Sequence, residues 1–342
     1  MRGSALLFLL LLASSQLLAQ GFNPGFEEKH PYPFRNFLNK FSLNLSAGYG
    51  RPFYRQEINS FAYARTESGS YLIPAGTYTA GDRVSGYSQW FSGVEQSSSI
   101  LLDEEYSLVN ADSTEGVLKS GGYGIPLNIA IYYNLHRLRI GGGINMEFHQ
   151  ANVPEPDGFL SLYPSPEPVN SLMTRWFGLL GYSVYEYYDN AFGVDVRFGK
   201  LNMGRGFDPD VIENDFFVNI GVSLEKVYSE YFRIYLRPSY EIKSFDVLLP
   251  DGATSGSLPV ANNAFYLTLG VRINYPDLPR SPISNDKTQM KHYVSDTKGN
   301  RMLVRGQPIW KKQDPKVGEL YPELQKSKRK RKGSNPLFKK KN

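Results

Sequence analysis

The sequence predicts an all-β chain whose main part is an eight-stranded, antiparallel, up-and-down transmembrane β-barrel, followed by a basic C-terminal tail. Eight segments alternate apolar and polar residues with a period of two, the pattern of strands that have one apolar and one polar face. The composition favours strands and turns, with 24 Tyr, 21 Phe and 32 Gly. Tight turns and long loops alternate between the segments, as expected of a meander of antiparallel neighbours.

The first residues have the composition of a secretory signal peptide. Arg2 precedes a nine-residue apolar run from Ala5 to Ala13, and the following residues lead to Ala19. This pattern predicts a signal peptide over residues 1–19. The run is shorter than the roughly 20 apolar residues that a membrane-spanning helix requires. The sequence contains no cysteine, which excludes disulfides, thiolate metal sites and cysteine nucleophiles.

The eight predicted strands lie between Phe41 and Pro276. They are FSLNLSAGY, IPLNIAIYY, RLRIGGGINMEF, RWFGLLGYSVYEYY, AFGVDVRF, FFVNIGVSLEKVY, FRIYLRPSYEI and AFYLTLGVRINYP. Tight turns are expected near residues 134–137, 189–190 and 229–230. Long connections are expected over about 52–121, 150–173, 204–215 and 248–262. We therefore predict a barrel over residues 41–276, preceded by a segment of residues 20–40.

The composition of the two strand faces indicates which face would contact lipid. In a soluble barrel the apolar face points inward, whereas in a membrane barrel it faces lipid and the polar face fills the lumen. The polar face here carries both acids and bases, which can neutralise each other in an enclosed space. The predicted lumen charge network consists of Arg139, Glu147, Asp195, Arg197, Glu225, Arg233, Arg237, Glu241 and Arg272.

Aromatic residues gather at the short-turn end of the predicted barrel. They are Tyr132, Tyr133, Tyr187, Tyr188, Tyr228, Tyr231, Phe232 and Tyr275. A membrane barrel carries such residues in girdles at its water interfaces. Strands of about 9 to 12 residues also match a tilted crossing of the hydrocarbon layer. The alternative is a secreted, soluble β-barrel that binds a ligand.

The last strand carries a further pattern: Thr268, Gly270, Ile273 and Tyr275 follow the order polar, glycine, hydrophobic, aromatic. This resembles the terminal-strand signal of Gram-negative outer-membrane β-barrel proteins. The Tyr- and Gly-rich composition and the large first loop resemble barrels from Bacteroidota. The resemblance implies that these four residues are an insertion signal read by the barrel assembly machinery. It also implies an outer-membrane location with extracellular long loops and, because the strand number is even, both termini in the periplasm.

The chain continues for 67 residues after Tyr275, with eighteen Lys and Arg against six Asp and Glu. We predict a basic periplasmic tail over residues 277–342 that is largely disordered, with one candidate hairpin over 292–310. Its expected counterparts are a protein partner, the cell wall or anionic lipid; an exported chain does not meet nucleic acid. The docking element is predicted at Lys326, Lys328, Arg329, Lys330, Arg331, Lys332 and Phe338.

The sequence offers little catalytic chemistry. Its four histidines lack the spacing of metal ligands, and we predict no cofactor, no metal site and no catalytic residues. One alternative centres on His149, two residues from Glu147 on the polar face. Some eight-strand outer-membrane barrels that cut or transfer acyl chains of lipopolysaccharide use a His with a Ser and a carboxylate near the rim. This resemblance implies a lipid-modifying enzyme as the alternative function.

Eight strands enclose little more space than side chains fill, so we expect a plugged lumen rather than a transport channel. Function then lies in the loops or the tail. The first long loop suits an adaptable binding surface, or it folds over the barrel mouth for stability. Its aromatic residues are Tyr54, Phe61, Tyr63, Tyr71, Tyr78, Tyr87, Trp90, Phe91 and Tyr106. Our leading hypothesis is a non-enzymatic anchor or accessory subunit of a secretion, motility or barrel-assembly complex, which docks partners through its tail.

Overall fold

The structure is a computed structural model of the chain. It describes residues 32–58, 61–110, 116–156, 167–187, 189–213, 216–229, 231–250, 257–286, 291–295, 299 and 301–306. The predicted signal peptide, and most of the segment of residues 20–40, lie outside these described residues. None of the described helices is long and apolar enough to cross a membrane.

The described elements are one short helix and seventeen strands. In chain order they are α1 (Pro33–Asn39), β1 (Phe41–Glu57), β2 (Phe61–Thr66), β3 (Gly69–Pro74), β4 (Arg83–Ser88), β5 (Glu95–Leu101), β6 (Ser107–Asn110), β7 (Val117–Leu135), β8 (Leu138–Ala151), β9 (Glu155–Pro156), β10 (Val169–Tyr187), β11 (Asn190–Asn202), β12 (Ile212–Glu213), β13 (Phe216–Val227), β14 (Phe232–Leu248), β15 (Ser257–Asn274), β16 (Lys291–Ser295) and β17 (Arg301–Arg305).

Eight long strands close into a barrel. Each pairs antiparallel with its neighbours in the order β1, β7, β8, β10, β11, β13, β14, β15, and the ring closes where β15 pairs with β1. Ser42 lies opposite Asn274, so the barrel begins and ends at the short-turn end. The predicted eight-stranded, up-and-down barrel is confirmed.

The strands reach further toward the long-loop end than the sequence predicts. β1 continues to Glu57, β14 continues to Leu248, and β15 begins already at Ser257. These extensions keep the inside-outside alternation, with buried Tyr54 and Gln56 on β1 and buried Phe245 and Val247 on β14. They form a mouth above the main barrel, where buried aromatic and aliphatic residues meet the first long loop.

The barrel has its apolar face on the outside. On β1, Ser42 and Asn44 are buried while Leu43 and Leu45 are exposed, and on β15 Leu269 is 59% exposed while Thr268 is buried. A soluble barrel requires the opposite arrangement, because apolar surface in water is unfavourable. The burial pattern therefore contradicts the soluble alternative.

Exposed aromatic residues border this outer face toward both ends. Toward the short turns, Tyr187, Tyr228 and Tyr275 are exposed, but Tyr132 is buried in the lumen, where Arg272 lies 5.6 Å from its ring centroid. Tyr188 lies outside the described residues. A second group on the long-loop side, which the sequence analysis did not name, consists of Tyr49, Phe53, Tyr123, Phe148, Trp176, Phe198, Phe216 and Phe265.

Interior glycines make room for large polar side chains on neighbouring strands. A Cβ added at Gly50 would collide with the ring of Tyr266, one at Gly221 with the guanidinium of Arg237, and one at Gly270 with the ring of Tyr235. Alternating small and large residues fill a narrow barrel in this way. The lumen is consequently closely packed, and two cavities between its described side chains measure about 20 and 10 Å³.

The first long loop folds into a cap over the mouth. Its strands form a five-stranded sheet in the order β5, β4, β3, β2, β6. Phe91 meets the rings of Tyr54, Phe207 and Phe245 at centroid distances of 5.1, 5.7 and 6.3 Å. Arg65, which is buried, pairs with Glu155 at 3.3 Å. Apolar contact and an ion pair therefore hold the cap to the barrel.

The described start of the tail is folded, and most of the segment that was predicted to be largely disordered lies outside the described residues. β16 and β17 form the hairpin that the sequence raised as a candidate, and Leu278 and Val304 are buried. The Arg305 guanidinium lies 4.0 Å from the ring centroid of Tyr231, in the turn between β13 and β14. These apolar contacts supply the burial that the charge count alone did not reveal.

Candidate functional site

The candidate site is the enclosed charge network of the lumen. At its long-loop end lies the mouth cluster, which we define as Tyr54, Glu147, His149, Arg175, Glu241, Lys243 and Tyr266. Strict alternation places these side chains inside, and each of the seven residues is at most 5% exposed. A charged group at such a position is unfavourable unless partners replace the lost water.

Arg175 is the centre of the mouth cluster. Its Nη1 donates to Glu147 Oε2 at 2.6 Å and to Asn145 Oδ1 at 2.9 Å. Its Nη2 donates to Tyr266 Oη at 2.9 Å and lies 3.4 Å from Glu241 Oε1. One guanidinium therefore neutralises carboxylates from β8 and β14, on different sides of the lumen.

His149 links this cluster to the mouth. Its Nδ1 is 2.8 Å from Glu147 Oε1, and its Nε2 is hydrogen-bonded to the hydroxyl of Tyr54. A carboxylate, an imidazole and a hydroxyl in a row could in principle relay a proton. However, His149 is 3% exposed and Tyr54 is 2% exposed, and Phe91 of the cap packs against the Tyr54 ring. Among the described residues, the arrangement is therefore enclosed beneath the cap.

Two further groups fill the lumen below the mouth cluster. Asp195 accepts from Arg237 Nε at 2.8 Å, and Arg237 Nη2 also donates to Asn219 Oδ1 at 2.7 Å. Glu225 pairs with Arg272 at 2.7 Å, with Arg233 at 3.7 Å and with Arg139. All nine residues of the predicted lumen network thus face the interior, although Arg233, with its side chain 28% exposed, lies at the rim.

Two charged members of this interior, Arg175 and Lys243, are absent from the predicted lumen network. Arg175 belongs to the least regular predicted segment, and Lys243 lies one residue beyond the predicted end of its strand. Continuing the period of two along each strand would have included both. With them, six buried cations, which are Arg139, Arg175, Arg197, Arg237, Lys243 and Arg272, face four buried carboxylates. Among the described residues of the lumen, the buried cations therefore outnumber the buried carboxylates by two.

The four residues of the predicted insertion signal all have structural contacts. Thr268 points inward and donates to the carbonyl of Arg237 at 3.2 Å. Gly270 leaves room for Tyr235, while Ile273 and Tyr275 are exposed on the outer face. Arg35 of α1 lies 5.0 Å from the ring centroid of Tyr275. Their role in insertion stays a prediction.

The aromatic residues of the first loop are mostly buried in the cap rather than available for binding. Phe61, Tyr63, Trp90 and Phe91 are at most 2% exposed. Burial raises the pKa of the Tyr63 hydroxyl, which donates to Ser70 Oγ at 3.0 Å. A cleft of about 410 Å³ remains at the surface, and it is lined by Ser68, Ser70, Tyr71, Ser88, Gln89, Ser92 and neighbouring residues.

The predicted docking residues of the tail, Lys326, Lys328, Arg329, Lys330, Arg331, Lys332 and Phe338, lie outside the described residues. Within the described part of the chain, no group of three or more His, Asp or Glu side chains could hold a metal ion.

We expect Arg175→Met to destabilise the barrel strongly, because it leaves Glu147 and Glu241 buried with less compensation. Removing one partner from a buried ion pair costs about 3–5 kcal/mol of unfolding free energy. Urea unfolding in detergent micelles measures the loss. The matched control is Arg55→Met, which removes a surface pair with Glu57 at 3.8 Å and should cost less than about 1 kcal/mol. Equal losses in both variants would contradict the central role of Arg175.

Comparison with known proteins adds only distant similarities. No family model matches the chain, and no curated protein matches it. Among solved structures, it is similar to the outer membrane protease OmpT from Escherichia coli, with 10% identity, a TM-score of 0.34, and coverage of 69% of this chain and 96% of that one. Neisserial surface protein A shows 8% identity and a TM-score of 0.32, covering 69% and 97%. The outer membrane protein AlkL shows 12% identity and a TM-score of 0.33, covering 67% and 89%. Similarities at this level carry no argument about what this chain does.

Proposed function

We propose that this chain is a non-enzymatic outer-membrane barrel that anchors an envelope assembly and docks a partner through its basic tail. The observation that carries the proposal is the combination of an apolar outer face with a filled lumen. The outer face suits hydrocarbon, and the filled lumen leaves no route through the barrel. Other molecules can then interact with the protein at the segments at its two ends, which the barrel holds at the membrane.

The outer face supports the membrane location through its layered composition. Aliphatic side chains such as Leu127, Ile129 and Leu269 are 43%, 59% and 59% exposed. Exposed aromatic residues flank them toward both ends, as in the girdles of membrane barrels. An apolar surface of this extent is unfavourable in water and is typical of a surface that contacts lipid.

The short-turn end supports the docking role. The chain leaves the barrel at Asn274 beside the first strand, and the hairpin of β16 and β17 then lies against the barrel through Arg305 and Tyr231. The basic segment that follows therefore starts from a fixed point at this end. We place this end in the periplasm, where an acidic protein surface, the cell wall or anionic lipid would attract the Lys and Arg residues.

The non-enzymatic assignment rests on the enclosure of the mouth cluster, whose histidine and tyrosine are covered by the cap. Binding of a ligand by the first loop would have to use the remaining surface cleft beside Tyr71, since most of its aromatic residues are committed to the cap. In the proposed function, the cap stabilises the barrel mouth and the tail binds the partner.

The membrane location predicts a large difference between two similar substitutions. Leu269→Arg introduces a charge on the outer face of the barrel, which should cost about 2–4 kcal/mol in a bilayer. Leu101→Arg introduces the same charge on the cap, where Leu101 is 50% exposed, and should change stability by no more than about 0.5 kcal/mol. Urea unfolding in phospholipid vesicles measures both. Equal losses of stability in the two variants would contradict the placement of this face in lipid.

The docking role predicts that partner binding depends on residues beyond Gly306. Truncation after Gly306 keeps the described hairpin but removes the basic segment, so it should reduce the recovered partner at least about tenfold when the barrel is purified from envelopes. Replacing Lys326, Lys328, Arg329, Lys330, Arg331 and Lys332 by Gln should have a similar effect. Heat-dependent gel mobility controls for barrel folding. An unchanged set of partners in folded variants would refute docking by the tail.

The assignment as a non-enzyme predicts that His149→Gln leaves the envelope lipids unchanged. Gln retains a polar side chain near Tyr54 and Glu147 but cannot act as a general base. Mass spectrometry of lipid A from cells with the unmodified chain, the variant, or neither measures any modification. A modification that requires the chain and disappears with His149→Gln would establish the enzymatic alternative instead.

A further inference from the structure

The barrel interior carries more positive than negative charge. Among the described residues of the lumen, six buried Arg and Lys side chains face four buried carboxylates, and the one buried histidine adds no negative charge. Arginine keeps its charge at all ordinary pH values, so the excess cannot be removed by releasing a proton from a guanidinium. Charge buried without a counter-charge is unfavourable. The interior therefore favours a small anion.

The excess is concentrated at Arg197. Glu225 holds Arg139 and Arg272, while Glu147 and Glu241 share Arg175 and Lys243. Asp195 is engaged by Arg237 at 2.5 Å, and Arg197 Nε stays 3.6 Å from the same carboxylate. The Arg197 guanidinium instead lies over the ring of Phe177, 5.0 Å from its centroid. Arg197 is thus the buried cation with the weakest compensation by a carboxylate.

Two unpartnered polar groups mark the same place. Arg197 Nε and Ser239 Oγ are both buried, and neither has a hydrogen-bond partner among the described residues. Both residues line the interior cavity of about 20 Å³, together with Arg175, Arg237, the carboxylate of Glu241 and other residues. Arg197 and Arg237 also line the adjoining cavity of about 10 Å³. Buried donors without partners are costly, and here both donors border the same small cavity.

We propose that the cavity between Arg197, Arg237 and Ser239 binds a small inorganic anion, with chloride as the occupant of matching size and charge. A cavity of this volume holds one water-sized particle, which excludes larger oxyanions and carboxylates. The ion accepts hydrogen bonds from Arg197 and from the Ser239 hydroxyl, and it offsets half of the excess of two positive charges. It is a structural ligand that stabilises the closed lumen.

The proposal is tested by thermal unfolding of the full chain in detergent micelles. Chloride replaces gluconate at constant ionic strength, so that general screening does not change. We expect the unfolding midpoint to rise by about 4 °C at ten times the dissociation constant, and to keep rising with the logarithm of the chloride concentration above it. Bromide should act similarly. Crystals soaked in bromide should show anomalous density between Arg197 and Ser239.

Variants assign the effect to this cavity. Arg197→Gln should abolish the chloride-dependent shift, whereas Arg55→Gln, the same change at an exposed arginine, should retain it in full. If Arg197→Gln does not fold, Ser239→Ala keeps all charges and should reduce the shift at least twofold. Superimposable unfolding curves in chloride and gluconate, a full shift in Arg197→Gln, or absence of anomalous density would overturn the proposal and leave water as the occupant.

Discussion

The structure depends on one constraint, which is that each barrel strand places every second side chain outside and every other one inside. The outer face of this barrel is apolar, so the charges of its strands gather in a lumen only a few side chains wide. Ion pairs in that space form between strands that are not neighbours in the sheet, such as Arg139 on β8 with Glu225 on β13 and Arg175 on β10 with Glu241 on β14. The network that neutralises the interior also connects the wall across the lumen.

The same constraint explains the size pattern of the interior. A guanidinium or phenol on one strand needs space on the next, and Gly50, Gly221 and Gly270 provide it for Tyr266, Arg237 and Tyr235. This polar packing is as sensitive to changes in side-chain volume as the packing of an apolar core. Among the described residues, the side chains that neutralise one another also occupy the space through which a solute would move.

Further contacts close the barrel at its two ends. At the mouth, Phe91 joins Tyr54, Phe207 and Phe245. At the short-turn end, the hairpin of β16 and β17 lies beside Tyr231. A barrel that is closed at the mouth and filled along its length is suited to holding a position in a membrane. Activity, in the function proposed here, belongs to segments that extend from it.

The local sequence pattern alone determined the strand number, the meander, the faces of the strands and the nine predicted lumen residues. The reason is that the period of two distinguishes the side chains on the outer face of each strand from those in the lumen. Tertiary structure alone decided the rest. The composition of the Tyr- and Trp-rich first loop is equally typical of a binding surface and of a cap. Only the packing of Phe91 and Trp90 beneath the β2–β6 sheet distinguishes the two possibilities. The pairing of Arg175 with both Glu147 and Glu241, and the excess charge at Arg197, depend on distances across the lumen. Such distances arise only when the ring closes, so no stretch of sequence contains them.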